Sequence, residues 1–415
     1  MVHQPAAGGN SGLENATGTR YGGLILTGCP DFWRLWSIGL VIFVVRWLET
    51  VVVGVVVYDR TGSAFLVAMM TMLRLLPMGL FGAFLGAWAE KLERRTTLIL
   101  VVLTMGANSA ALGLLAHAGQ LEVWHMALTS FLNGLGWATD NPVRRVMIGD
   151  AVGSAHMGTA MSLDVGASNA SRMVGPTVGG LLLAGVGIDG AFALSVVLYV
   201  GALYAAWRVT YRNSEGTGAG SVIARIAEGL RLVRGDSRLV GVLIVTVIYN
   251  LFGWPCASMI PVIGRDRLGL GPEGIGMLAS MDGIGAFAGA VLLGLFLKPR
   301  AYAHTYIGGV LIYVTMMIVF ALTTDPTVAG LALTVVGLGG AGFSTMQATL
   351  VYLAAPPEMR SRILGVLSVC IGTGPLGFLG LGVLAELIGA HYATAATGMI
   401  GLLTMAATYR WWRTI

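Results

Sequence analysis

Runs of about 20 apolar residues, the length that crosses a hydrocarbon core of roughly 30 Å, recur almost from end to end of this 415-residue chain. No other feature narrows the fold as much. Backbone N–H and C=O groups cannot stay unpaired in lipid, so each run is a helix or part of a closed barrel. Barrel strands alternate in polarity over roughly 10 residues, and these runs do not alternate. The expectation is an all-α membrane protein with spans near 35–58, 64–89, 96–117, 122–147, 158–186, 189–209, 238–263, 272–297, 302–323, 327–354, 362–388 and 391–409. Charged residues make up only 11% of the chain, against about 25% in soluble domains. The 61 glycines would each cost a soluble helix about 1 kcal/mol, but in a bilayer they let helices approach closely.

Most connections between the runs are short. The exception, 210–237, is polar and contains Gly216-Thr217-Gly218-Ala219-Gly220. It divides the chain into a bundle of six helices at 32–209 and a second six at 238–415. Within the linker, Val222, Ile226, Leu230 and Val233 share one helical face, with arginines among the other positions. That pattern predicts an amphipathic helix on the membrane surface. Residues 1–31 are Gly-, Ala- and Asn-rich without the basic-then-apolar order of a signal peptide, and read as a disordered cytoplasmic tail.

Lys and Arg counts orient the chain. With both termini cytoplasmic, the cytoplasmic tails and loops hold 19 of them and the opposite side only Arg60, Arg265 and Arg267. This asymmetry also explains the net charge of +5, since the basic loops face an anionic leaflet. Membrane lipids are thus the expected polyanionic partner, and nucleic acid is not needed. Cys29, Cys256 and Cys370 stand far apart and, like the six histidines, show no metal or redox spacing. No Walker phosphate loop exists, so no nucleotide or other cofactor is expected. Gly337-Leu338-Gly339-Gly340-Ala341-Gly342 fits a dinucleotide fingerprint formally. It lies in an apolar run rather than after a strand, which favours helix packing.

Three local patterns narrow the class. After the second run comes Gly86-Ala87-Trp88-Ala89-Glu90-Lys91-Leu92-Glu93-Arg94-Arg95, which resembles the signature loop of the major facilitator superfamily. Gly166, then Gly175-Pro176 and Gly179-Gly180, is similar in spacing to the antiporter motif of that superfamily's drug–proton exporters. Tyr58-Asp59-Arg60-Thr61-Gly62-Ser63, Ala170-Ser171-Arg172-Met173-Val174-Gly175-Pro176 and Leu251-Phe252-Gly253-Trp254-Pro255 resemble the branch that holds the enterobactin exporter. The resemblance implies two six-helix bundles around a central cavity, alternating access, and export of a small molecule in exchange for protons. It also implies a monomer in the bacterial cytoplasmic (inner) membrane. A gate latch is implied as well, between Glu90 and Arg144 or Arg145. The family's usual basic motif in the fourth helix is absent, with Asp140 in that region instead.

Ionisable residues inside the spans are costly and so informative. The first half holds Arg46, Glu49, Arg74, Asp140, Asp164 and Arg172, and the second holds Asp282 with no basic partner in its own half. Arg46 and Glu49, three apart, are expected on one face of the first helix, which lines the cavity in the superfamily. Desolvation raises a carboxylate's pKa and a neighbouring Arg lowers it, a balance that suits proton coupling at Glu49 or Asp282. Arg46 and Arg74 are expected to meet an acidic group on the cargo. Arg172 adjoins the glycine motif and reads first as a structural ion pair joining helices, then as a cavity residue. Asn133, Asn250, Trp254 and Gln347 complete the expected cavity.

Overall fold

The computed structural model describes residues 28–89, 93–153, 156–210, 233, 235–356 and 359–415. Most of the proposed tail and linker, with Glu90 and Lys91, lies outside them. The described residues form twelve helical rods: α1 (Pro30–Thr61), α2 (Ala64–Ala89), α3 (Arg94–His117), α4 (Val123–Val152), α5 (Met157–Gly185), α6 (Ile188–Arg208), α7 (Ser237–Asp266), α8 (Pro272–Phe296), α9 (Tyr302–Leu322), α10 (Pro326–Ala354), α11 (Arg360–Ile371, continued by Gly374–Ile388) and α12 (Ala390–Ala407). Among the described residues, nine are long and apolar enough to cross a membrane by length and composition. The other three are α4, α5 and α12. The first two are diluted by Asn133 and by the charged Asp140, Arg144, Asp164 and Arg172, which are taken up in ion pairs within α4 and between α4, α5 and α8. The third is a short rod of Ala, Gly and Thr.

Several rods outrun their apolar cores because their ends are capped. Pro30 opens α1, where its missing N–H costs nothing. Gly62 closes it in the left-handed region (φ 63°), donating to the Tyr58 carbonyl. Asp325 caps α10 by accepting from Thr327 and Val328. The α7 rod is irregular: a π-helical turn at Tyr249–Gly253 runs into a 3₁₀ turn at Trp254–Met259. Pro255 brings no N–H to continue an α ladder, and such insertions are frequent at functional sites.

The halves repeat one another. In the first, α1 packs on α5, α2 on α4 and α3 on α6; in the second, α7 meets α11, α8 packs on α10 and α9 on α12. The two halves join along α2–α11 and α5–α8, which exchange under the same correspondence. Such pseudo-symmetry is the mark of repeat-built transporters. Glycines set the approach. A Cβ on Gly180 would lie 2.4 Å from the Pro272 carbonyl, and one on Gly283 2.4 Å from the Arg172 carbonyl. Gly175 and Gly179 seat α5 equally closely on α1, whereas Gly166 faces open space. Gly337 and Gly339 lie inside α10, packed against the backbones of α8 and α9. That placement makes the dinucleotide-like run a packing surface.

Where α1 and α7 finish, the halves are tied together. Arg265 pairs with Asp59 at 3.0 Å, Tyr58 donates to Asp266, and Ser63 and the Phe65 amide donate to Glu386 at 3.0 and 3.3 Å. This end is called the tied end below.

Candidate functional site: the central cavity

Between the halves lies a cavity of about 100 Å³, smaller than the roughly 300–1,000 Å³ of open small-molecule sites. Residues of α1, α2, α4, α5, α7, α8 and α11 wall it, including Arg46, Trp47, Thr50, Arg74, Arg172, Trp254, Asp282 and Phe378. Most of the wall is apolar. Its charged groups are Arg46, Arg74 and Arg172 from the first half and Asp282 from the second, beside the hydroxyls of Thr50, Thr71, Ser130 and Ser258.

The α1 residues reach it at helical spacing: Arg46, Thr50 and Gly54 stand four apart on one stripe, with Trp47 beside them. The Arg46 guanidinium lies 3.7 Å over the Trp137 ring and 5.5 Å from that of Trp47. Arg74 donates to the Arg46 carbonyl at 2.9 Å and to the Thr50 hydroxyl at 2.6 Å. Neither arginine has a carboxylate within ion-pair distance among the described residues. Arg172 differs. It pairs with Asp282 across the α5–α8 seam, and its guanidinium lies 5.3 Å from Trp47. Asp282, without a basic partner in its own half, is therefore not unpaired; its partner comes from the other bundle. The pair is incomplete, since Asp282 Oδ1 and Arg172 Nε have no hydrogen-bond partner among the described residues.

Several residues expected at the cavity stand elsewhere. Glu49 is buried inside the first bundle and does not line the cavity. Residues three apart differ by about 60° around a helix, enough to turn Arg46 to the cavity and Glu49 to the seam with α3 and α4. There Glu49 accepts from Ser109 at 2.6 Å and Asn133 at 3.4 Å. Asp140 and Asp164 also leave the cavity. They hold Arg144, which is fully buried between α4, α5 and α1, through Asp140 at 3.2 Å and a direct contact with Asp164. Arg145 reaches Asp164 at 3.5 Å while staying exposed. Of the two residues expected to meet Glu90, which lies outside the described residues, Arg144 is already committed to two carboxylates. Arg94 pairs with Asp150 and Arg95 donates to the Trp207 carbonyl, binding the start of α3 to the ends of α4 and α6. Asn250 turns back on the Thr246 carbonyl of its own helix, and Gln347 donates to the Thr246 hydroxyl, joining α10 to α7. Only Arg46, Arg74, Arg172, Asp282 and Trp254 of the expected cavity set line it.

The sequence reading missed Trp47, Thr50 and Trp137. The first two sit one and four residues from Arg46, a spacing that could have found them. Trp137 and Ser109 come from other helices and carried no such signal.

Two pseudo-symmetric six-helix bundles closing on a central cavity define a transporter of the major facilitator type, not an enzyme. The chain belongs to the transmembrane secretion effector family of that superfamily, whose profile matches residues 29–412. Among curated proteins it is similar to macrolide efflux protein A of Streptococcus pyogenes, at 21% identity over 89% of this chain and 93% of that one. It is also similar to an uncharacterized MFS-type transporter of Bacillus subtilis, at 25% identity over 80% of this chain and 81% of that one. Among solved structures, a bacterial homologue of the human lysosomal transporter Spinster, inward-facing and unoccupied, superposes with a TM-score of 0.73 at 16% identity, covering 92% of this chain and 96% of that one. The nucleoside transporter NupG does so with a TM-score of 0.73 at 12% identity, covering 92% and 99%.

Proposed function

We propose that this protein exports a small molecule from the bacterial cytoplasm by alternating access, in exchange for protons. Its relatives named for macrolide efflux support the direction. The tied end supports the cycle: with both termini cytoplasmic, as the Lys and Arg distribution favours, it is the outer end, and the cavity between the halves is closed to the outside. Two carboxylates qualify to carry the proton, Asp282 in the cavity wall and Glu49 behind it. Protonating Asp282 would release Arg172 and loosen the α5–α8 seam, on which a rocking motion has to act. The glycines of α5 keep that seam tight enough to prevent leak. The exposed Arg145 serves as the base for Glu90 in the gate.

The observation that carries the cargo reading is the charge of the cavity. Arg46, part-buried in its wall, has no carboxylate partner, and Arg74 has only the Glu49 charge acting on it from beyond ion-pair distance; a poorly compensated charge out of water is expensive. A cargo with an anionic group and an aromatic or otherwise apolar body would neutralise them and stack on Trp47 and Trp254. A secreted acidic metabolite, such as a siderophore, fits this description; a lysophospholipid has the same chemistry, with a longer apolar body. The membrane potential alone would favour anion export by about 2.3 kcal/mol per charge per 100 mV, so potential and pH gradient have to be imposed separately. Flux of an acidic amphiphile in proteoliposomes should respond to a pH gradient at clamped potential. Asp282→Asn should remove that response. Flux driven by potential alone, unchanged in Asp282→Asn and Glu49→Gln, would refute proton exchange while leaving the anionic cargo standing.

A further inference from the structure

Glu49 sits in a setting unlike that of any other buried carboxylate among the described residues. Asp140 and Asp164 face Arg144, and Asp282 faces Arg172. Glu49 has no guanidinium within ion-pair distance, and Arg74, the nearest basic side chain acting on it, spends its guanidinium on Thr50 and a backbone carbonyl. What surrounds Glu49 is neutral. Ser109 of α3 contacts Oε1 and Asn133 of α4 contacts Oε2, and the Asn133 carbonyl accepts from Asn108 of α3 at 3.0 Å. From α6 come Ser195 and Tyr199, and α5 offers α1 the glycines 175 and 179. Arg46, on the same helix, points into the cavity. The charged and titratable groups facing Glu49 are therefore Arg74 and Tyr199.

The Ser109 hydroxyl owns one proton and stands between two acceptors, Glu49 Oε1 at 2.6 Å and the Met105 carbonyl at 3.2 Å. With Glu49 ionised, Ser109 donates to the carboxylate. With Glu49 protonated, the carboxyl O–H donates to Ser109 Oγ, and the Ser109 proton turns to Met105. Every heavy atom keeps its place and no hydrogen-bonding group is orphaned in either state. A buried ion pair such as Arg172–Asp282 has no such freedom, because protonating it leaves a guanidinium unpaired.

We propose that Glu49 and Ser109 form a proton-storage site inside the first bundle, separate from the cargo cavity, in which the Ser109 hydroxyl reverses to serve both charge states. Ser109 is a positioning residue and Glu49 holds the proton. The site communicates with the cavity through Arg74, which feels the Glu49 charge on one side and lines the cavity on the other. The proposal rests on the proton-exchange reading for its role, but not for its test.

Infrared difference spectra of the purified full-length protein, recorded between about pH 5 and about pH 9, read the carboxyl group directly. A protonated-carboxyl band should titrate in the wild type and vanish in Glu49→Gln. Ser109→Ala should displace the band and move its midpoint by about one pH unit, the size expected for losing one hydrogen bond to a charged group. Ser109→Thr, which keeps the hydroxyl, should restore both. The affinity for an acidic amphiphile, read by tryptophan fluorescence, should change less than about threefold in Ser109→Ala. A difference spectrum unaltered by Glu49→Gln, or a band and midpoint unaltered by Ser109→Ala, would overturn the proposal. So would a midpoint that moves with sodium concentration, which would make the site a metal-cation site. Should Glu49→Gln not fold, the two Ser109 variants decide alone. If proton-driven flux is absent but the band titrates as described, the coupling reading fails and the storage site stands.

Discussion

Arg144 and Arg46 are the same residue type in the same six-helix bundle, Arg144 in the last third of α4 and Arg46 midway along α1, and they are treated in opposite ways. Arg144 is fully buried, with Asp140 and Asp164 on it and Phe43 5.1 Å from its guanidinium carbon. Its place is carved out by Gly39, where a Cβ would stand 2.3 Å from Nη1. Arg46 opens into the cavity, lies on an indole and has no carboxylate partner. The first arginine is neutralised by its own chain and can only join α1, α4 and α5. On the proposed reading, the first charge holds helices together and the second, at the cavity wall, meets the cargo.

The contrast breaks first, if it is wrong, at Arg144. Replacing one partner of a buried ionic cluster strands the others, a loss of about 3–5 kcal/mol. Arg144→Met should therefore collapse thermal stability in detergent, while Arg144→Met combined with Asp140→Asn and Asp164→Asn should recover much of it. Full stability in the single variant would mean the cluster is decorative. A smaller loss, about 1–3 kcal/mol, is expected for Gly39→Ala, because the added methyl has to displace a guanidinium with nowhere to go. Unfolding temperature reports this as well, and an unchanged value would show that Arg144 has slack. Least affected should be Arg46→Gln, which gives up two cation–π contacts, with Trp137 and Trp47, together worth about 1–2 kcal/mol. A stability loss as large as that of Arg144→Met would erase the distinction.

How much of this was legible beforehand follows the same divide. Helices and their sixfold division were readable because lipid demands long apolar runs and allows no other backbone solution. Glycines 175, 179 and 180 were readable as a close-packing face, since their spacing lies on one helix. Partnerships were not readable. That Asp282 belongs to Arg172 depends on the α5–α8 seam, which brings together residues 110 positions apart. That Glu49 turns from Arg46 towards Ser109 depends on how α3 and α4 pack, information absent from the i, i+3 spacing of α1. Asn250 and Gln347 misled for a related reason: a polar side chain in a membrane helix suits a cavity and a helix seam equally, and only packing decides. Gly166 matched a motif by spacing, yet it faces open space and closes no helix contact.

The central claim is that Arg46 and Arg74 form the cavity's unfilled half of a charge pair. Its most direct test is equilibrium binding to the purified protein, followed by tryptophan fluorescence, of three amphiphiles matched in their apolar body and differing only in an anionic, neutral or cationic head. The anionic compound should bind tightest, and Arg46→Gln or Arg74→Gln should weaken it by about 10- to 100-fold, as expected for a lost charge-assisted hydrogen bond, with the neutral compound little affected. Tightest binding of the cationic compound, or equal affinities in wild type and Arg46→Gln, would contradict the account.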